Sequence, residues 1–179
     1  MCVGAVLAGS ACEHSSGIPV AAAEGTQSTP QVEPVAQPVA QPVAQPVAQT
    51  PARTIVVLAP KEGVSLATQI EGEMKKAEQA QLKPYVELWA TWCGACRELH
   101  EGMDAELMKT ATAGSYLIRV DIDKFRAQAD AAGYTSTAIP AIYEVGSDGT
   151  ATGKMIDGSA WGENIPMEMA PPLSGFFQG

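Results

Sequence analysis

No stretch of this sequence is apolar for long enough to cross a bilayer as a helix. Basic residues are few: 11 Lys and Arg stand against 20 Asp and Glu, for a net charge of −9. They are also scattered, and a nucleic-acid surface needs a basic stripe or cluster, so that class of partner is excluded. Cysteine is scarce too, with 4 in 179 residues. Cys2 and Cys12 lie near the N-terminal end, which leaves only Cys93 and Cys96 for the rest of the chain. That excludes a disulfide scaffold, and also a four-thiolate zinc site, which needs a second pair. Adding His100 to the two cysteines still leaves zinc one ligand short. No metal is expected, and His100 reads as a solvated helix residue. What is present, once the N-terminal region is set aside, is one domain of ordinary size, long enough to build a core without staples.

The first 23 residues read as an export leader. Val3 to Ala11 is a short run of apolar and small residues, like the apolar region of a secretory signal. The positively charged start of such signals is missing, which leaves open whether Met1 is the true start. Two processing readings stand side by side. Leu7-Ala8-Gly9-Ser10-Ala11-Cys12 resembles a degraded lipoprotein signal with Cys12 as the lipid-bearing residue, although Gly9 stands where that pattern has a large aliphatic residue. Ala21-Ala22-Ala23 offers a small-residue site for ordinary signal cleavage. Both place the protein in the periplasm or cell envelope, the first with a lipid anchor. The competing reading is a disordered cytosolic tail.

Residues 24–53 change character. Pro-Val-Ala-Gln recurs at Pro34, Pro38, Pro42 and Pro46. Such a segment cannot bury enough apolar surface to offset its ordering entropy, so a disordered linker is expected. Proline at every fourth position favours extended polyproline II, and at roughly 3 Å per residue the segment is a semi-rigid spacer.

The folded domain is expected over 54–179. Thr54 to Ala59 is β-branched and apolar, hence a strand. Ser65 caps a helix whose apolar face is Leu66, Ile70, Met74 and Ala77. Pro84 opens a strand over Tyr85 to Ala90. The helix after it carries Cys96, Leu99, Met103 and Leu107 on one face, with Gly102 as a weak point. Tyr116 to Asp121 is a strand, and Asp123 caps a short helix with Phe125 and Ala129 inward, stopped by Gly133. Pro140 leads a strand to Val145, and Asp148-Gly149 reads as a hairpin turn into a strand over Thr150 to Ile156. Pro166, Pro171 and Pro172 break the tail, leaving a turn or two of helix from Leu173 to Gln178. The order β-α-β-α-β-α-β-β-α is an α/β sandwich around a mixed sheet.

The chemistry concentrates in Trp92-Cys93-Gly94-Ala95-Cys96. Two thiols three residues apart, between an apolar strand and an amphipathic helix, form a redox centre. At the first turn of a helix Cys93 faces unpaired N–H groups and the positive end of the helix dipole, and both favour the thiolate. Cys96, one turn on, is placed to close a disulfide onto Cys93. Glu87 sits in the apolar strand, where a carboxylate is costly unless hydrogen-bonded or protonated. Desolvation there would raise its pKa and make it a candidate proton acceptor for Cys96. Cys-Gly-Ala-Cys-Arg is not a haem-attachment sequence, and no cofactor of any kind is expected.

On that scaffold, Tyr85-Val86-Glu87-Leu88-Trp89-Ala90-Thr91-Trp92-Cys93-Gly94-Ala95-Cys96-Arg97 resembles the active-site strand and loop of the thioredoxin family, and Ile139-Pro140 stands where that family has its cis-proline loop. The resemblance covers about Thr54 to Gly158. It implies a three-layer α/β/α sandwich and thiol–disulfide exchange on protein disulfides, with Cys93 attacking and Cys96 resolving. It also implies that Glu87 serves as proton acceptor. Trp92, Gly94, Ala95, Ile139 and Pro140 would border the substrate, Trp92 would shield the sulfurs, and Trp89 would lie in the core. The family's Gly-Pro between the cysteines is Gly94-Ala95 here, its buried Asp is Glu87, and the tail from Trp161 has no clear counterpart. A monomer is expected, working as a reductase or electron relay fed by a separate membrane thiol donor. The alternatives are a disulfide oxidase or isomerase, a non-catalytic peptide-binding module, and a metal-trafficking thiol pair.

Overall fold

In the computed structural model the described residues are 52–179. Cys2, Cys12, the Ala21 to Ala23 site and the Pro-Val-Ala-Gln repeats lie outside the described residues. From Thr54 the elements run β1 Thr54–Val57, α1 Leu66–Gln79, β2 Lys83–Trp89, α2 Gly94–Gly102, α3 Glu106–Ala111 and β3 Ser115–Asp121. They continue with α4 Ile122–Ala131, β4 Ala141–Val145, β5 Ala151–Asp157, a 3-10 turn Gly158–Ala160 and α5 Pro166–Gln178. The strands form one sheet in the order β1-β3-β2-β4-β5. The first three are parallel, and β4 and β5 complete the sheet antiparallel. Among the described residues no helix is long and apolar enough to cross a membrane.

The period-two alternation of a strand decides which core each residue enters. In β2, Val86 and Leu88 join Leu66 and Ile70 of α1 and Phe125 of α4 on one face of the sheet. Tyr85 turns the other way, to Leu99 and Met103 after the cysteine motif and Leu173 of α5. This gives the expected three-layer α/β/α sandwich. It also places Glu87, in step with Tyr85, beneath α2.

Several local expectations change. The helix after the motif is two helices, because α2 ends at Gly102. A Cβ on Gly102 would come 3.0 Å from Met169 Cε, so the close approach of α5 leaves little room there. The restart shifts the helical phase: Met108 and Ala111 point inward, and Leu107 is exposed. The cap of α4 is Asp121, which accepts from the Asp123 N–H at 3.0 Å, while Asp123 sits in the first turn. The hairpin forms as expected around Gly149, whose φ of 74° suits glycine.

The tail is the largest difference. α5 has 13 residues and includes Pro171 and Pro172. Pro166 opens it, where the missing N–H costs nothing. An interior proline removes a hydrogen bond and costs about 3 kcal/mol, but Met169, Leu173, Phe176 and Phe177 are all buried. At about 1.5–3 kcal/mol for each large side chain, this burial outweighs propensity. Tyr85 stands edge-on to Phe177 at 4.5 Å and donates its hydroxyl hydrogen to the Phe177 carbonyl at 3.1 Å.

All 4 tyrosines, Tyr85, Tyr116, Tyr134 and Tyr143, resist ionisation. Burial pushes each of them up, and for Tyr116, which also donates to Glu73 at 2.8 Å, the value reaches about 12. A phenol raised above its unfolded value of about 10 stabilises the fold fully below that pH, and the contribution fades as pH rises toward the folded value. Alkaline titration should therefore show the phenolate absorption band rising together with unfolding, above about pH 10. Phenolate formed at pH 10 without loss of fold would contradict this packing.

Candidate active site

The end of β2 and the start of α2 are separated by four residues, and Cys93 is the last of them. Its backbone is extended (φ −75°, ψ 108°), as an N-cap requires, and its Sγ accepts the Cys96 N–H at 3.0 Å. A sulfur thus takes the place of the usual capping oxygen. Cys93 and Cys96 are joined in a disulfide with their Cα atoms 5.3 Å apart. Cys93 is 5% exposed and Cys96 0%. The difference follows from α2: Cys96 lies on its inward stripe with Leu99, and Cys93 sits at its mouth.

Facing the disulfide is the loop before β4. The Ile139–Pro140 peptide is cis, and the Ile139 carbonyl oxygen lies 3.6 Å from Cys93 Sγ. The Pro140 carbonyl accepts from the Gly158 N–H at 3.2 Å, which ties this loop to the turn after β5. Ile139 is half-buried and Pro140 buried. Trp92 is 64% exposed and its indole N–H donates to Asp123 at 2.9 Å. It borders a small cleft with Ile122, Arg126, Ser136 and Ile139. Gly94 is exposed, Ala95 half-buried and Arg97 exposed. Trp89 is half-buried against the core. Cys93, Cys96, Trp92, Gly94, Ala95, Ile139 and Pro140 thus gather at one end of the sheet.

Glu87 is fully buried. Its two oxygens are held separately, Oε2 by Arg119 Nε at 2.9 Å and Oε1 by His100 Nε2 at 2.5 Å. The sequence left both partners unnamed. Arg119 meets Glu87 because β2 and β3 pair in a register that sets the two residues side by side. His100 is not the solvated residue expected of it. Its side chain is 17% exposed, and its ring packs on Trp89 with centroids 5.2 Å apart. The signal was in the sequence: His100 follows Cys96 by four residues and so shares its helix face. Trp161, unassigned from the sequence, is buried in the α2–α5 core, and its indole donates to Asn164 at 2.8 Å. Among the described residues no group of three His, Cys, Asp or Glu is arranged to hold a metal ion.

The family model for thioredoxin matches residues 66–165. Among solved structures, a disulphide isomerase from Xylella fastidiosa is 19% identical, with a TM-score of 0.46, covering 68% of this chain and 95% of that one. A mutant thioredoxin from Halobacterium salinarum is 14% identical, with a TM-score of 0.45 and coverage of 70% and 88%. Trichomonas vaginalis thioredoxin is 25% identical, with a TM-score of 0.39 and coverage of 59% and 86%. No curated protein matches the sequence.

Proposed function

Because the chain belongs to the thioredoxin family, we propose that it carries out thiol–disulfide exchange on protein disulfides in the cell envelope, as a reductase or electron relay. The observation that carries this reading is Cys93 Sγ at the N-terminus of α2, bonded to Cys96 and faced by the Ile139–Pro140 loop. In the reduced protein Cys93 attacks a substrate disulfide, a mixed disulfide forms, and Cys96 resolves it. The Ile139 backbone offers an edge on which a substrate strand can pair, and Trp92 walls the cleft. Glu87 takes the proton of Cys96.

The reductive direction is supported by what separates the cysteines. Gly94 and Ala95 bring neither charge nor side-chain donors, so no side chain between the two sulfurs adds to the helix dipole acting on Cys93. Strong oxidants need a more heavily stabilised thiolate. Location in the envelope, with Cys12 as a lipid anchor, and a separate membrane thiol donor complete the proposal; they are supported by the leader and the Pro-rich spacer in the sequence. The protein works as a monomer in this reading. Equilibration with glutathione should give a reduction potential of roughly −200 to −270 mV. A value near −120 mV, the range of a strong oxidase, would reverse the direction.

A further inference from the structure

Glu87 is sealed from water, so a proton that it accepts needs a way out. Arg119 cannot provide one. A guanidinium holds a carboxylate as a permanent cation and does not release its proton in proteins. His100 differs in two respects. An imidazole takes up and releases protons near neutral pH through two distinct nitrogens. Its side chain also reaches solvent, at 17% exposure, while touching the Oε1 of a carboxylate with none. It stands one helical turn beyond Cys96, on the same face of α2.

We propose that His100 is the positioning residue for the proton of Glu87: it orients the carboxylate and passes to water the proton that Glu87 takes from Cys96. This rests on the exchange reaction proposed above. In the resolving step the Cys96 thiol gives its proton to Glu87, and the resulting thiolate attacks Cys93 Sγ. The bond between Cys93 and the substrate sulfur breaks as the Cys93–Cys96 bond forms. The substrate sulfur leaves with the electron pair and takes a proton from water, so the substrate gains the two electrons that the dithiol loses. Glu87 then gives its proton to Nε2 of a His100 ring that carries its own hydrogen on Nδ1, that Nδ1 hydrogen passes to water, and exchange through water returns the ring to the starting tautomer. The groups that face His100 are Glu87 and Trp89 from β2 and, across the carboxylate, Arg119 from β3, whose charge is felt in turn by Arg53.

The test uses the reduced protein and Ellman's reagent, which reports the two sulfur steps in one trace. Release of the first thionitrobenzoate depends on reagent concentration and reports attack by Cys93. Release of the second does not, and it reports resolution by Cys96. His100→Gln and His100→Ala should leave the first phase unchanged and slow the second about tenfold, part of the span that a positioned acid–base group commands. Free imidazole should restore the second phase of His100→Ala, an effect that a packing role would not produce. Adding His100→Gln to Glu87→Gln should slow resolution no further than Glu87→Gln alone. A slow Glu87→Gln beside a full-speed His100→Gln would overturn the role of His100 and leave Glu87 as the base. An unaffected Glu87→Gln would overturn both. A slow His100→Ala that ignores imidazole would reduce His100 to packing, a comparison made within one folded variant.

Discussion

Cys93→Ser is expected to bring disulfide exchange down to the uncatalysed rate, whereas Cys96→Ser should still attack and then stall. The asymmetry comes from the position of each sulfur along α2. Cys93 is the N-cap, where the Cys96 N–H points at its Sγ and the helix dipole favours negative charge. Cys93 is also the residue of the pair that retains some exposure, and its sulfur is the one that the Ile139 carbonyl faces. A serine hydroxyl there keeps the cap but does not attack a disulfide sulfur as a thiolate does, so no mixed species forms. Cys96 is buried within the helix and acts only on a sulfur already bound to Cys93. Its replacement should leave the mixed disulfide to persist, because only an external thiol can then release the substrate. Non-reducing electrophoresis with mass spectrometry, on protein exposed to a disulfide-bonded peptide, distinguishes the two variants. Adducts should accumulate on Cys96→Ser and be absent from Cys93→Ser. Equal trapping by both would mean that either sulfur can attack, and would remove the assignment of roles.

The parts of this site that were legible in the sequence are those formed by neighbours along the chain. Cys93 and Cys96 are separated by one helical turn, and Ile139-Pro140 adjoins a strand, so pattern and spacing locate both. Glu87 was legible as a misplaced charge but its partners were not. Arg119 lies 32 residues away and reaches Glu87 only through the strand register of β2 with β3. His100 carried a spacing signal that composition obscured, since a histidine on a charged helix reads first as solvated. Leu107 was misassigned for a different reason. A helical stripe assumes an unbroken helix, and the stop at Gly102 resets the phase by bringing Met108 inward. In α5 local propensity argued against a long helix. The tertiary burial of Met169, Leu173, Phe176 and Phe177 overrides it, and that burial cannot be seen before the sheet and α2 are in place.

Arg119→Met should be among the most damaging substitutions away from the sulfurs, at about 3–5 kcal/mol of stability. The side chain keeps its apolar length but the Glu87 carboxylate, at 0% exposure, loses the permanent cation 2.9 Å away. Only His100 then remains to it, on the other carboxylate oxygen, and it does not replace the guanidinium lost from Oε2. The contrast with the surface is instructive. Lys109–Glu106, a helical pair at 2.7 Å, has Glu106 almost fully solvated, and such pairs contribute about 0–1 kcal/mol. The same two charge types differ in consequence because water can replace one lost partner and cannot replace the other. A domain of this size should lose on the order of 10–15 °C in Tm. The double variant Glu87→Leu, Arg119→Met removes both charges together and leaves His100, partly exposed, free to bond water. It should recover most of the loss, because a buried ion pair replaced by apolar groups of similar volume is often neutral. Urea unfolding of the four proteins of this cycle measures the coupling directly. If Arg119→Met costs under about 1 kcal/mol, or if the two substitutions simply add, Glu87 is reached by water despite its burial. The proton path through His100 would then lose its reason to exist.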